Sequence, residues 1–230
     1  MAVPGELLAH IPCMEKLSPK TLDRVSEMAD LVMFKAGDDF YQQGDAPSGI
    51  YTILSGRVKL YRHSKGHMQI LTLLKPGQCF GAESLPTSAP SPCAASALTP
   101  TRILYLAPMY VQQLAAEHAD FLEMLLELTT ARLKQFVALV HDLAFRDVTA
   151  RLASVLVARA IDEGRRTDQG ISIDRLLSQQ DFAALIGTAR EVIYRTFRKF
   201  EEEDIIRLTT HEICILDLDR LIEIASQETR

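Results

Sequence analysis

The sequence predicts an α+β chain with two cores: a small β-barrel or jelly roll, a long helix, and a helical C-terminal domain ending on two short strands. Three observations predict it. Glycines recur at turn spacing through residues 30–106, a four-three apolar repeat runs through residues 122–143, and two short amphipathic patterns meet at Gly187. A length of 230 residues suits two domains better than one, since single domains usually hold about 100–150 residues.

Near the start, Ser18-Pro19 supplies an N-cap followed by proline at the first helical position, and Leu22, Val25, Met28 and Ala29 share a face of the helix that follows. From Asp30 to Leu106, short apolar segments are punctuated by Gly37, Gly44, Gly49, Gly56, Gly66 and Gly77. Tyr51, Ile53, Leu54, Val58 and Leu60 suit half-buried strands, and the rhythm is that of a small barrel. His63 and His67 flank Ser-Lys-Gly, which reads as a hairpin turn, so both are expected to be exposed and not metal ligands.

From Ala107 to Leu143 no glycine and, after Pro108, no proline interrupts a helical pattern. Leu122, Leu126, Thr129, Leu133, Phe136, Val140 and Leu143 alternate spacings of four and three, the period of a coiled-coil seam. Such a seam predicts a partner helix and hence a homodimer. Further on, a helix is expected from Asp147 to about Asp162, then a polar loop EGRRTDQG and a strand-like ISI. Ser178 is placed as N-cap of a short helix with Phe182, Leu185 and Ile186 inward. Gly187 breaks it, and Thr188 is placed as N-cap of a second helix with Ile193, Phe197 and Phe200 inward. Two helices, a glycine turn and two strands predict a winged helix-turn-helix.

Apolar residues make up 47% and charged residues 24%, an ordinary globular composition. No apolar run approaches the roughly 18 residues of a membrane span, and the start lacks a signal-peptide pattern, so a cytoplasmic protein without a membrane partner is expected. Cys13, Cys79, Cys93 and Cys214 are scattered without a CxxC pair, which predicts free thiols. The formal net charge of −5 gives no global attraction to nucleic acid, so DNA binding must rest on a local surface.

That surface is the second C-terminal helix, whose outward residues are Arg190, Glu191, Tyr194, Arg195, Arg198 and Lys199. Arginine can donate two parallel bonds to guanine O6 and N7, and glutamate can accept from cytosine N4, so the arrangement can read a short half-site containing G and C. Ser178, Gln180 and Thr188 complete the expected DNA-contacting set. The acidic run Glu201, Glu202, Glu203, Asp204 is expected to be surface at the helix end, facing away from phosphate.

Across nearly the whole chain, and most closely in LAFRDVTARLA and IGTAREVIYRTFRKFEEEDII, the sequence resembles the Crp/Fnr family of transcription regulators. The resemblance implies a cyclic-nucleotide-binding-like jelly roll as sensor over residues 1–117, a dimerisation helix over 118–145 and a winged helix-turn-helix over 146–230. It implies that Arg190, Glu191 and Arg195 read bases in a palindromic TGTGA-like site, that Tyr194 sits at a position varying between subfamilies, and that RNA polymerase is a further partner. No catalysis is expected. The rival class, a cupin-like metal enzyme built on a similar β-roll, needs an HxH pair that the sequence lacks. A regulator without any ligand is the other alternative.

The resemblance also bears on what is sensed. In cyclic-AMP-binding members a Gly-Glu and a later Arg-Ser clamp the cyclic phosphate. Here Gly81 is followed by Ala82, and Ser91-Pro92 stand where Arg-Ser is expected. Without the guanidinium a buried phosphate loses its strongest charge-assisted bonds, so the effector is expected not to be cyclic AMP. An iron-sulfur cluster needs clustered N-terminal cysteines, and only Cys13 lies there. The Cys-x-His haem pair of CO-sensing members is missing, while haem held another way stays open. The expected effector pocket comprises Gly81, Ala82, Glu83, Ser84, Cys93, Arg132, Phe136 and Val137; Glu83 is expected to be exposed loop surface, the alternative being a pair with Arg132 that couples loop to helix.

Overall fold

A computed structural model describes residues 4–46, 48–82 and 89–228. The expected pocket residues Glu83 and Ser84, and with them the Glu83–Arg132 pair, lie outside the described residues. The chain divides into two compact units, residues 1–66 with 71–136 and residues 67–70 with 137–230.

The first unit opens with α1 (Gly5–Leu8), a 3-10 turn (Pro12–Met14) and α2 (Pro19–Met28). Ser18 caps α2 through its side-chain oxygen, with Pro19 at the first position, as the sequence predicts. Eight strands follow: β1 (Asp30–Phe34), β2 (Asp39–Tyr41), β3 (Ile50–Ser55), β4 (Val58–Ser64), β5 (His67–Leu74), β6 (Cys79–Phe80), β7 (Ala94–Ala97) and β8 (Thr101–Leu106). They form two four-stranded sheets, ordered β1-β8-β3-β6 and β2-β7-β4-β5.

Both sheets contribute to one core, with Ile53, Phe80 and Ile103 from the first and Tyr41, Leu60 and Ala95 from the second. Phe80 is its hub. The ring stacks on Tyr51 at 5.0 Å and meets Phe40 edge-on, also at 5.0 Å. All six glycines that mark turns in the sequence have positive φ. At Gly49 the reason is also steric: a Cβ there would lie 2.2 Å from the Leu106 carbonyl oxygen on β8. His63 and His67 flank the β4–β5 turn and are exposed. A second apolar cluster packs Leu8, Met14, Leu22 and Val25 against Ile50, Leu104 and Leu106.

The helix expected from Ala107 to Leu143 is two helices, α3 (Pro108–Glu117) and α4 (Ala119–Phe145). His118 separates them in extended conformation, φ −132 and ψ 106. Tertiary bonding holds the break. The Thr21 hydroxyl donates to Asp120 at 2.9 Å and lies 3.0 Å from His118 Nδ1, while the Ser18 N–H donates to Asp120 Oδ2 at 2.8 Å. Helical periodicity carries no trace of partners a hundred residues away, which is why the sequence reads straight through.

The second unit holds α5 (Val148–Glu163), β9 (Arg165–Thr167), β10 (Gly170–Asp174), α6 (Gln179–Ile186), α7 (Arg190–Glu202), β11 (Ile206–Leu208), β12 (Glu212–Ile215) and α8 (Leu218–Ala225). Asp147 caps α5, its Oδ1 accepting from the Ala150 N–H at 2.7 Å. The stretch expected to be polar loop contains β9. Exposed and charged, β9 is an edge strand of the sheet β11-β12-β10-β9, and Arg165 binds Asp174 and Glu212 beside it. Leu152, Leu156, Ile173, Phe182, Ile193, Phe197, Phe200 and Leu221 fill the core, where the Phe182 and Phe197 rings meet edge-on at 5.1 Å.

Because Phe80 bridges both sheets of the first unit, Phe80→Ala is expected to destabilise that unit by about 3–5 kcal/mol. Differential scanning calorimetry should show one transition moving down while that of the second unit stays in place.

Candidate DNA interface and sensor crevice

Three local devices set the pose of α7. Ser178 and Asp181 form a reciprocal capping box at the start of α6: the Asp181 N–H donates to Ser178 Oγ at 3.0 Å, and the Ser178 N–H to Asp181 Oδ2 at 3.3 Å. At its end Gly187 is left-handed, φ 74 and ψ 51. The turn needs glycine for its left-handed dihedrals, and a Cβ there would also stand 2.8 Å from Leu143 Cδ2, displacing that side chain. Finally Ile193, Phe197 and Phe200 bury the inner stripe of α7.

Thr188 is not the N-cap of α7. Its N–H, like that of Gly187, donates to the Ala183 carbonyl and so closes α6, and the cap falls on Ala189, which has no side-chain oxygen to offer. The opposite face of α7 presents Arg190, Glu191, Tyr194 and Arg195, all exposed, Tyr194 by 50%. With Gln179 at the start of α6, these four line a shallow recess of about 330 Å³. Gln180, expected in this set, is exposed but does not line it. Gln179 does, one residue earlier on α6.

The acidic run after α7 is more than surface. Glu201 Oε1 accepts from the Leu208 N–H of β11 at 3.1 Å, tying the end of the recognition helix to the wing. Glu203 faces Lys199 at 3.9 Å, and Asp204 takes a positive φ of 53° where the chain turns into β11. On the other side, the hinge between α4 and α5 is bonded within the second unit. Arg146 reaches Asp142 at 3.3 Å and the Ser154 hydroxyl at 2.7 Å, and Arg151 Nη1 donates to the Leu143 carbonyl at 3.4 Å.

In the first unit a small crevice is lined by Cys79, Phe80, Ala82, Leu128, Thr129 and Arg132. Arg132 is buried, with Nη2 donating to the Cys79 carbonyl at 3.3 Å and Nη1 to Gln135 Oε1 at 2.8 Å. Its free volume of about 10 Å³ holds roughly one water. A haem or nucleotide does not fit this crevice as it stands. Of the expected pocket residues, Ala82 and Arg132 line it and Gly81 adjoins Ala82, while Cys93 is buried in the sandwich core. Phe136 and Val137 do not line it. On α4 the crevice ends at Arg132, one turn earlier.

Residues 31–118 match the cyclic nucleotide-binding domain family, and residues 150–224 match the Crp-like helix-turn-helix domain family. The global nitrogen regulator of Synechocystis sp. is 31% identical over 79% of this chain and 82% of its own length. The chain belongs to the Crp/Fnr family of transcription regulators. Among other Crp/Fnr relatives, a CRP-like cAMP-activated global transcriptional regulator of Mycobacterium tuberculosis is 26% identical over 94% of this chain and 97% of its own. A Thermus thermophilus transcriptional regulator of the CRP/FNR family shares the fold with a TM-score of 0.73 at 24% identity, covering 87% of this chain and all of that one (100%).

As a Crp/Fnr member the chain is a DNA-binding regulator, and its helix-turn-helix is the segment built from α6, the Gly187 turn and α7. Its β-rich first unit carries the fold of the nucleotide-binding family. Among the described residues of this Crp/Fnr chain, no helix is long and apolar enough to cross a membrane, and no three His, Cys, Asp or Glu side chains converge as a metal site.

Proposed function

We propose that the chain acts as a homodimer that reads a palindromic site through Arg190, Glu191, Tyr194 and Arg195. Residues 1–117 would sense, 118–145 dimerise and 146–230 bind DNA. The observation that carries the reading is the outer face of α7. These four side chains make no hydrogen bond or ion pair among the described residues, which leaves two guanidiniums and a carboxylate available to base edges. Thr188, just past the end of α6, supplies a hydroxyl suited to phosphate, and Ser178 holds the start of α6 in place through its capping box.

Dimerisation is supported by the state of the seam. Leu126, Leu133 and Val140 are 61%, 62% and 65% exposed, while Phe121 and Met124 on the opposite face of α4 are buried. An apolar stripe of that length on one helix face fits a second copy of the same helix, with Leu122, Thr129, Phe136 and Leu143 completing the repeat. Two recognition helices about 34 Å apart would meet successive major grooves, so small rotations at residues 145–147 would decide binding through a population shift. RNA polymerase is the further partner this role requires.

The effector we infer is not a cyclic nucleotide. Ala82 offers no carboxylate, and Ser91 is held in place by backbone bonds to Asp45 and Gly44 of 2.8 and 2.9 Å with no arginine beside it in sequence. Titration calorimetry with cyclic AMP is expected to show no saturable heat; saturation with a response in DNA affinity would overturn this part.

Selection of binding sites from random DNA is expected to recover palindromes with a GTGA or TTGA core. In fluorescence anisotropy at fixed salt, Arg190→Ala should weaken the selected site by about 1–3 kcal/mol and relax preference at one base pair, with little change in non-specific binding. Equal losses on specific and random DNA would remove Arg190 from base reading. Sedimentation of Leu126→Asp/Leu133→Asp should give a monomer in which site affinity collapses; a dimer persisting at micromolar concentration would place the interface elsewhere.

A further inference from the structure

Cys13 and Cys79 stand 66 positions apart in the sequence, yet the fold brings their thiols into one hydrogen-bonded cluster. Cys79 lies on β6, in register with Thr52 of β3, and Thr52 Oγ1 is 3.2 Å from Cys79 Sγ. Cys13 lies in the 3-10 turn, which is pressed against the β5–β6 turn: a Cβ at Gly77 would sit 2.7 Å from Pro12 Cδ. Leu8 and Met14, both fully buried, anchor that turn on either side. Proximity of the two thiols is therefore built into the packing.

The surroundings divide the pair into unequal partners. The Cys79 thiol is held below its ordinary value, chiefly by the hydrogen bond from Cys13, with Thr52 and the Arg132 charge adding to it against the effect of burial. Cys13 is pushed up by that same bond and by burial. Cys79 is thus the more acidic thiol of the pair and Cys13 the less acidic. Each sulfur also borders its own crevice. Cys79 and Arg132 line the one that holds about one water, and Cys13 lines a second of about 40 Å³ beside Lys16 and Asp120.

We propose that Cys13 and Cys79 form a peroxide-reactive dithiol that closes to an intramolecular disulfide, with hydrogen peroxide as the oxidant because the crevice at Cys79 admits only a molecule close to water in size. The Cys79 thiolate attacks one peroxide oxygen, forming an S–O bond and breaking O–O; the departing hydroxide takes the Cys13 proton and leaves as water. The Cys13 thiolate then attacks the Cys79 sulfur, forming S–S and breaking S–O, and the second hydroxide leaves as water after taking a proton from solvent in exchange for the one Cys79 had released. The two sulfurs lose two electrons in all and the peroxide gains them. Arg132 places positive charge beside the departing oxygen. Its donor bond to the Cys79 carbonyl connects the same site to α4.

The test uses the full-length, fully reduced protein without DNA, so its outcome is separate from that of the DNA-reading proposal. Peroxide in slight excess, followed by non-reducing digestion and mass spectrometry, is expected to yield a Cys13–Cys79 cross-linked peptide two hydrogens lighter than its reduced parts. Thiols titrated after denaturation should fall from four to two and return with a dithiol reductant. Cys93→Ser and Cys214→Ser should form the same cross-link. Cys13→Ser should abolish it and leave a sulfenic acid on Cys79 that dimedone captures once the protein is denatured in its presence. Retention of all four thiols, a cross-link joining any other pair, or sulfenic acid found on Cys13 with Cys79 intact would overturn the proposal, and the wild-type peptide map decides it even where a variant fails to fold.

Discussion

The structure depends on one helix having two different apolar faces. On the inner face of α4, Phe121 and Met124 are buried in the cluster beneath the first sheet, and Arg132 extends its guanidinium to the carbonyl of Cys79. Those contacts fix the helix rotation. Once it is fixed, the outer stripe from Leu122 to Leu143 has nowhere to go but outward. Leaving so much apolar surface in water carries a free-energy cost, and the proposed dimer would remove it.

Where α4 begins is set by polar chemistry and not by its own sequence. Thr21, fully buried, has its hydroxyl satisfied by Asp120 and adjacent to His118, so the break between α3 and α4 is the place where a buried hydroxyl finds its partners. The heptad register of the seam is counted from that point. A local reading sees only an uninterrupted helical pattern, because the partners of His118 and Asp120 lie on α2.

The features legible in the sequence are those encoded by single residues with strict local demands. Turn glycines, the Ser18-Pro19 start, the Ser178 cap and the Gly187 break all belong to this class, and so does the outward charge on α7, since an amphipathic stripe with Ile193, Phe197 and Phe200 inward forces Arg190, Glu191 and Arg195 out. What was illegible depended on third parties. Thr188 lost the cap because its N–H was needed to close α6, and β9 exists because β10 offered an edge. Phe136 and Val137 lie beyond the crevice at Cys79, whose wall on α4 ends at Arg132, one turn earlier; β9 and the cap at Ala189 likewise depend on neighbours. Gln179 rather than Gln180 beside the α7 face is a matter of helix phase, and Glu201 bonding to Leu208 is a contact across seven residues that composition alone reads as solvated charge.

Gly187 has no side chain, and Leu143, near the end of α4, occupies the place where one would be. The pivot between α6 and α7 is thus a ball seated in a socket belonging to another helix. The last turn of α4 and the turn between α6 and α7 therefore meet at one point. A side chain at residue 187 would press on Leu143 as well as strain the turn, so a substitution there is felt at both places.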